Sequence, residues 1–153
     1  MEEKHEGAPS APMDLRVWVR LLSCAMRIEK QLRRNFAEQF DTTLPRFDVM
    51  ASLDRYPKGQ TMGELSRALL VSNGNTTSIV RQLESSGLVT SRPDPRDLRS
   101  SIVMLTSDGK KQFALLAAAH HRWVKNAMSN FPADKQKKLF NLLADLNNSI
   151  GKV

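Results

Sequence analysis

The fold is decided by residues 62–89, which read MGELSRALLVSNGNTTSIVRQLESSGLV. Apolar residues recur there at helical spacing on both sides of a short break at Ser72, which predicts two helices joined by a tight turn. Thr61, with Glu64 three residues later, predicts a capping box at the start of the first helix. Ser72 is the predicted cap of the second helix, and Gly87 is placed to end it. This arrangement is typical of a helix-turn-helix.

The residues that follow change from a helical to an alternating pattern. Residues 88–91 and 101–105 predict two β-strands, and PDPRD at 93–97 predicts a polar turn stiffened by proline. A hairpin directly after a helix-turn-helix is the wing of a winged helix. The predicted fold class is therefore mainly α with a small β-hairpin wing (α+β), a winged helix-turn-helix with long N- and C-terminal dimerisation helices.

Long amphipathic helices are predicted on both sides of this lobe. Asp14 is the expected N-cap of the first, Thr106 caps the fifth, and Pro132 starts the sixth. The apolar stripe of the first helix consists of Val17, Leu21, Cys24, Ile28, Leu32 and Phe36. The predicted organisation is a flexible arm at 1–13, a dimerisation helix at 14–40, a DNA-binding lobe at 41–105 and C-terminal dimerisation helices at 106–153.

The composition is that of an ordinary folded domain. Of 153 residues, 41 % are apolar and 25 % charged, which excludes a disordered or collagen-like chain. The net charge of +7 predicts a polyanionic partner, of which nucleic acid is the commonest. The positive excess lies in residues 14–40 and 110–153, whereas the middle of the chain is neutral. Charge alone therefore does not locate a binding surface.

The segment that starts the chain is acidic and lacks an apolar core, and no apolar run reaches the 18 residues of a membrane helix. We therefore expect no signal peptide, no membrane partner and a cytoplasmic location. A single cysteine, Cys24, excludes an internal disulfide.

Short polar side chains and one long cation are predicted on the outward face of the second helix of the motif. A helix of this kind fits the major groove of DNA and presents its first turns to base edges. On the wing, Arg96 and Arg99 are expected to meet the adjacent minor groove or backbone, with Asp94 and Asp97 holding their guanidiniums. The candidate DNA-binding residues are Ser72, Asn73, Gly74, Asn75, Thr77, Ser78, Arg81, Arg96, Asp97 and Arg99. The alternatives are ordinary capping residues and a plain surface salt-bridge cluster.

Residues 44–109 resemble the MarR family of bacterial transcriptional regulators. Three features carry the resemblance: the helix-turn-helix quoted above, the Asp-x-Arg wing motif at 97–99, and Leu105-Thr106 followed by Gly109. The resemblance implies an obligate homodimer of interleaved terminal helices, a fourth helix that reads the major groove, and an Arg99 that enters the minor groove oriented by Asp97. Leu98 departs from the family pattern, in which many members have a polar or basic residue.

The resemblance also implies a small-molecule effector, often an aromatic or phenolic acid. We nominate Trp18, Arg20, Arg27 and Arg46 for its pocket. The tryptophan would form an aromatic wall, and the arginines would supply cations for a carboxylate. The alternative is a structural tryptophan and solvated arginines. Some relatives sense peroxide through a cysteine of the first helix. The place of Cys24 on the apolar stripe instead predicts an inert, buried thiol.

No metal site, cofactor or catalytic centre is expected. The adjacent His120 and His121 point about 100° apart on a helix and no cysteine joins them, so they do not chelate one ion. Gly-rich phosphate loops and hydrolase or zinc-protease motifs are missing from the sequence.

The sequence thus predicts a homodimeric, sequence-specific transcriptional regulator rather than an enzyme. We expect an effector-responsive repressor on a pseudo-palindromic operator. The alternatives left open are a non-specific architectural DNA-binding protein, a redox-sensing regulator through Cys24, and a winged-helix module that binds protein.

Overall fold

The computed structural model describes residues 8–69 and 76–151. Within these ranges the chain forms helices and one small antiparallel sheet. The elements are α1 (Met13–Phe40), α2 (Leu44–Arg55), β1 (Gln60–Thr61), α3 (Met62–Ala68), α4 (Thr76–Ser85), β2 (Val89–Asp94), β3 (Asp97–Leu105), α5 (Ser107–Ala127) and α6 (Ala133–Ser149). The mainly α fold class with a β-hairpin wing is confirmed.

The chain divides into two compact units, the first ending at His120 and the second beginning at His121. The core of the first unit is built around α2. The most deeply buried side chains of this unit are Phe36, Val49, Met50, Leu53, Leu65, Val103 and Leu116. They come from α1, α2, α3, β3 and α5, so the elements of the winged helix share one apolar core with the end of α1.

Local capping signals place the helix ends. The Arg46 backbone N–H donates to Thr43 Oγ1 over 3.2 Å at the start of α2. Thr61 and Glu64 form the predicted capping box of α3. Gly87, with φ of +73°, ends α4 in a conformation that L side chains rarely adopt. The predicted cap of α4, Ser72, lies outside the described residues.

The start of α1 differs from the prediction. α1 begins at Met13 with Pro12 as N-cap and no side-chain cap. The Asp14 carboxylate instead accepts the backbone N–H of the next residue over 2.8 Å. Pro12 supplies the extended backbone that the N-cap position requires. The sequence pattern predicted an aspartate in this role instead.

The sheet has the order β1-β3-β2 with antiparallel pairing throughout. Its short edge strand, β1, was not predicted, because two residues carry too little pattern to detect. Both wing strands extend further toward the tip than the alternation predicted, so that the turn shrinks to Pro95 and Arg96 between Asp94 and Asp97. Backbone pairing continues through exposed residues whose side chains give no alternating apolar signal.

The apolar stripe of α1 is only partly covered within the chain. Leu32 and Phe36 are buried, whereas Val17 and Cys24 are exposed. The prediction of a Cys24 buried in the core of its own chain is therefore wrong. The helical spacing located the apolar face correctly, but the core covers only its C-terminal part.

Within residues 8–69 and 76–151, no helix is both long and apolar enough to cross a bilayer.

Candidate nucleic-acid interface

The helix α4 divides cleanly into a buried and an exposed side. Ile79, Val80 and Leu83 are buried, so the helix is anchored by three apolar side chains at helical spacing. Thr77, Ser78 and Arg81 are exposed. For the described part of this helix the outward arc is therefore the predicted one. The remaining candidates on this arc, Ser72, Asn73, Gly74 and Asn75, lie outside the described residues.

Two polar contacts attach the C-terminal half of α4 to its neighbours. Arg46 of α2 donates from Nε to Gln82 Oε1 over 2.9 Å. On the wing side, the Ser91 hydroxyl donates to Glu84 Oε1, also over 2.9 Å. The sequence pattern predicted neither contact. The first joins residues 36 positions apart, and the second joins a helix to a strand across the turn between them.

The wing tip holds Arg96 against a buried carboxylate. Asp94 Oδ1 accepts the backbone N–H of Arg96 over 2.9 Å and its Nε over 3.3 Å, while Oδ2 lies 3.4 Å from Nη2. The Asp94 side chain is 5 % exposed and that of Arg96 is 74 % exposed. The negative group is therefore inside the hairpin and the positive group faces solvent.

Asp97 and Arg99 repeat this arrangement one step along β3. Asp97 Oδ1 accepts both the backbone N–H and Nε of Arg99 over 3.1 Å, and Oδ2 lies 3.5 Å from Nη2. Arg99 is the more exposed of the two arginines, at 92 % of its side chain. Leu98 between them is also exposed.

The ion pair at the tip shifts the titration of both partners. The hydrogen bond from the Arg96 backbone N–H, and then the one from its guanidinium, hold the pKa of the Asp94 carboxyl below its ordinary value. The hydrogen bond to Asp94 likewise raises the pKa of Arg96. The pair is therefore fully ionised at neutral pH, and the wing keeps a fixed cation there.

Three of the four residues nominated for an effector pocket have different surroundings in the structure. Trp18 is more than half exposed, Arg46 is bonded to Gln82, and Arg27 lines a shallow groove of α1 with Ser23, Met26, Glu29, Lys30 and Arg33. A different cleft of about 690 Å³ lies between α1, α2 and α5. It is lined by Ala25, Ile28, Glu29, Leu32, Leu44, Phe47, Asp48, Ala51, Asp54, Arg55, Phe113 and His120.

One histidine belongs to this cleft. The His120 ring stacks on Phe47 with centroids 4.7 Å apart and on Phe36 at 6.2 Å. Phe113 stacks on the same Phe47 ring at 5.6 Å. His121 is exposed, and His5 lies outside the described residues. Among the residues that the structure describes, no three potential metal ligands come together.

Comparison with known proteins agrees with this architecture. The model of the MarR family matches residues 42–101, the segment that contains α2, α3, α4 and most of the wing. The transcriptional activatory protein BadR of Rhodopseudomonas palustris is 34 % identical over 116 residues, which are 73 % of this chain and 66 % of BadR. The matched segment therefore spans just under two thirds of that relative.

Solved structures match over most of the chain. A MarR family transcriptional regulator from Silicibacter pomeroyi superposes with a TM-score of 0.80 and 27 % identity, covering 90 % of this chain and 95 % of that one. Sco3205 of Streptomyces coelicolor, a MarR family regulator solved in complex with DNA, shares the fold with a TM-score of 0.79 at 19 % identity, covering 95 % and 93 %. The chain belongs to the MarR family of transcriptional regulators.

Proposed function

We propose that this protein is a homodimeric, sequence-specific DNA-binding regulator that reads a pseudo-palindromic operator with α4 and the wing. The observation that carries the proposal is the pairing of an exposed polar arc on α4 with two exposed wing arginines, each held by its own aspartate. An α-helix fits a major groove about 12 Å wide. Guanidiniums beside such a helix are suited to the narrow minor groove and to phosphates.

The two kinds of contact have different tasks. Thr77, Ser78 and Arg81 face outward from α4 and supply hydrogen-bonding groups for base edges and phosphates. The sequence pattern assigns four further residues to the same surface: Ser72, Asn73, Gly74 and Asn75. Arg99, oriented by Asp97, supplies the wing contact. Affinity then depends on a few well-placed cations, because residues 60–109 carry no net charge.

Exposed apolar faces support the homodimer. Large apolar side chains are exposed on α1 at Met13, Leu15, Val17, Trp18, Leu22 and Met26. On α6 and just beyond its end they are exposed at Leu139, Phe140, Leu142, Leu143, Leu146 and Ile150. No residue of α6 is buried within the chain. Most helices in proteins are stable because an apolar face is packed, so we assign these faces to a second copy.

The cleft between α1, α2 and α5 is our proposed effector site. Phe47, Phe113 and His120 offer rings for a planar ligand. Arg55 offers a cation for the carboxylate of an aromatic or phenolic acid, and carboxylates such as Asp48 accept a phenolic hydroxyl. A ligand that binds one spacing of the two α4 helices better than another shifts the dimer toward that spacing. When that spacing does not fit the two half-sites of the operator, the ligand releases the DNA. We propose that the protein is a repressor and that this release relieves repression.

Selection of bound duplexes from a random library at about 150 mM salt tests the proposal. A two-fold symmetric motif with half-sites about one helical turn apart is the expected result. Binding without enrichment would instead identify a non-specific architectural protein, and no binding at all would favour a protein-binding module. A reporter gene driven by a promoter that overlaps the motif then gives the sign of regulation. Lower expression with the protein present identifies a repressor, and higher expression an activator, as the name of BadR describes that relative.

A further inference from the structure

We propose that Thr106 is a positioning residue that fixes the end of α4 to the start of α5, and that this joint sets the spacing of half-sites that the protein accepts. The inference rests on the proposed function, since it concerns how α4 is held in the homodimer. It concerns the motif of Leu105-Thr106 followed by Gly109, which the DNA-facing surface described above does not use.

The Thr106 hydroxyl makes two hydrogen bonds to different elements. Its Oγ1 accepts the backbone N–H of Gly109 over 3.0 Å, which is the N-cap bond of α5. The same hydroxyl donates to the carbonyl oxygen of Gly87 over 2.6 Å, just after the end of α4 and 19 positions earlier in the chain. A hydroxyl has one donor and two acceptor sites, so one side chain makes both bonds at once. Helix capping accounts for the first bond but not for the second.

Backbone contacts around this hydroxyl tighten the joint. The Thr106 N–H donates to the Leu88 carbonyl oxygen over 3.1 Å. A Cβ on Gly109 would collide with that same oxygen, so the first turn of α5 lies directly against residue 88. The Leu88 N–H in turn donates to the Leu83 carbonyl oxygen of α4 over 2.9 Å. Thr106 therefore binds two successive carbonyls of the segment that leaves α4.

The connections at this joint are short. α4 ends at Ser85, and β2 begins at Val89, which pairs with Leu105 at the end of β3. Thr106 alone then connects β3 to α5, which begins at Ser107. The joint thus unites the end of α4, the base of the wing and the start of α5.

A fixed joint here matters for a protein that reads two half-sites. α5 is one helix from Ser107 to Ala127, with Leu116 and Ala119 buried in the core, and the chain continues from it to α6. We have assigned the exposed apolar face of α6 to a second copy. Because the joint prevents α4 from turning independently of α5, the two α4 helices of a dimer keep a narrow range of separations. One base pair moves a half-site by about 3.4 Å and turns it by about 35°, which such a pair of helices does not follow.

The test compares the affinities of the full-length protein for three duplexes. They are the duplex recovered by selection and two derivatives, with one base pair added or removed between the half-sites. The preference is the ratio of the affinity for the selected duplex to that for each derivative. Fluorescence anisotropy at one salt concentration gives all three affinities.

Three substitutions of Thr106 separate its two hydrogen bonds. Thr106→Ser keeps both. Thr106→Asp keeps an acceptor for the Gly109 N–H, and aspartate is a good N-cap residue, but an ionised carboxylate has no hydrogen to donate to the Gly87 carbonyl. Thr106→Val keeps the shape of the side chain and loses both bonds. If Thr106 acted only as the cap of α5, Thr106→Asp would behave like the unsubstituted protein.

We expect the unsubstituted protein and Thr106→Ser to share the same preference for the selected duplex. In Thr106→Asp and Thr106→Val the preference should fall about two- to tenfold, the range that corresponds to one lost hydrogen bond. The added charge of the aspartate weakens binding to all three duplexes alike, so it cancels in the ratio. A Thr106→Asp variant with the full preference would overturn the proposal, and so would an unsubstituted protein that binds the three duplexes equally.

Thermal unfolding followed by circular dichroism identifies any variant that fails to fold. Either of Thr106→Asp and Thr106→Val decides when the other does not fold, since both lack the bond to Gly87. If the unsubstituted protein binds no duplex, or if selection recovers no two-fold motif, the proposed function itself fails. That result differs from a two-fold motif whose preferred spacing does not depend on Thr106, which overturns only the present inference.

Discussion

Arg46 and Gln82 connect α2, which lines the cleft, to α4, the helix that we propose faces DNA. Arg46 Nε donates to Gln82 Oε1 over 2.9 Å, and the neighbouring Phe47 lines the cleft between α1, α2 and α5. Arg46 was nominated from the sequence as an effector-binding residue, but its guanidinium points to α4. A movement of α2 caused by a ligand therefore has a direct polar link to α4.

Loss of this link should loosen α4 without unfolding the lobe. Arg46→Ala and Gln82→Ala each remove one exposed hydrogen bond, which is worth about 0.5–1.5 kcal/mol, while Ile79, Val80 and Leu83 keep the helix packed. We expect each variant to lose up to about tenfold in affinity for the selected duplex, with a smaller loss on a scrambled one. Fluorescence anisotropy measures both. Strictly additive losses in the double variant would show that the contact does not couple the two helices.

Gly109 should tolerate no side chain. A Cβ at this position would collide with the Leu88 carbonyl oxygen and lie 2.9 Å from its carbon, and backbone cannot move aside cheaply. Gly109→Ala should therefore destabilise the protein by about 1–3 kcal/mol or more, measured by urea denaturation. Gly63→Ala is the control, since its Cβ would meet only the flexible end of Arg67 at 3.5 Å. Equal stability of the two variants would contradict this close packing of α5 on residue 88.

A charge on the apolar face of α6 should dissociate the dimer. Leu143 lies on the exposed apolar face, and burying an unpaired carboxylate in an apolar interface is strongly unfavourable. Leu143→Glu should shift the mass in sedimentation equilibrium from dimer to monomer and weaken operator binding. Asn141→Glu, on the opposite side of the same helix, should remain dimeric. A monomeric unsubstituted protein, or a dimeric Leu143→Glu variant, would exclude α6 from the interface.

Filling the cleft should separate ligand response from DNA binding. Ala51 lines the cleft from α2 and is only partly buried, so Ala51→Phe places a ring where the effector would bind. We expect benzoate, a minimal aromatic carboxylate, to weaken operator binding by the unsubstituted protein and to leave the variant unaffected. The affinity of the variant without benzoate is the control. A response of equal size in both proteins would place the ligand elsewhere.

The sequence predicted those features that depend on near neighbours in the chain. The capping box at Thr61 and Glu64 and the left-handed Gly87 are local, so their residue types were sufficient. The buried side of α4 followed from helical spacing alone. The two-residue strand β1 gave no pattern, and the Pro12 cap replaced the expected Asp14 cap because several residues there are compatible with a helix start.

Features that depend on distant residues were not predictable in this way. Whether Cys24 is buried depends on how far the core extends along α1, which periodicity does not report. The contact of Arg46 with Gln82 crosses 36 positions. The burial of Asp94 follows from the register of the hairpin, which depends on where the turn closes. The cleft between α1, α2 and α5 is likewise formed by residues from three elements, and residue type alone does not bring these together.

One comparison tests most directly whether α4 reads the DNA sequence while the wing supplies affinity. The ratio of Kd on a scrambled duplex to Kd on the selected duplex is measured for the unsubstituted protein, Arg81→Ala and Arg99→Ala. We predict that Arg81→Ala lowers this ratio, with a loss of about 1–3 kcal/mol on the selected duplex. Arg99→Ala should weaken binding to both duplexes and reduce the salt dependence. Equal losses on both duplexes for Arg81→Ala would contradict the assignment of sequence reading to α4.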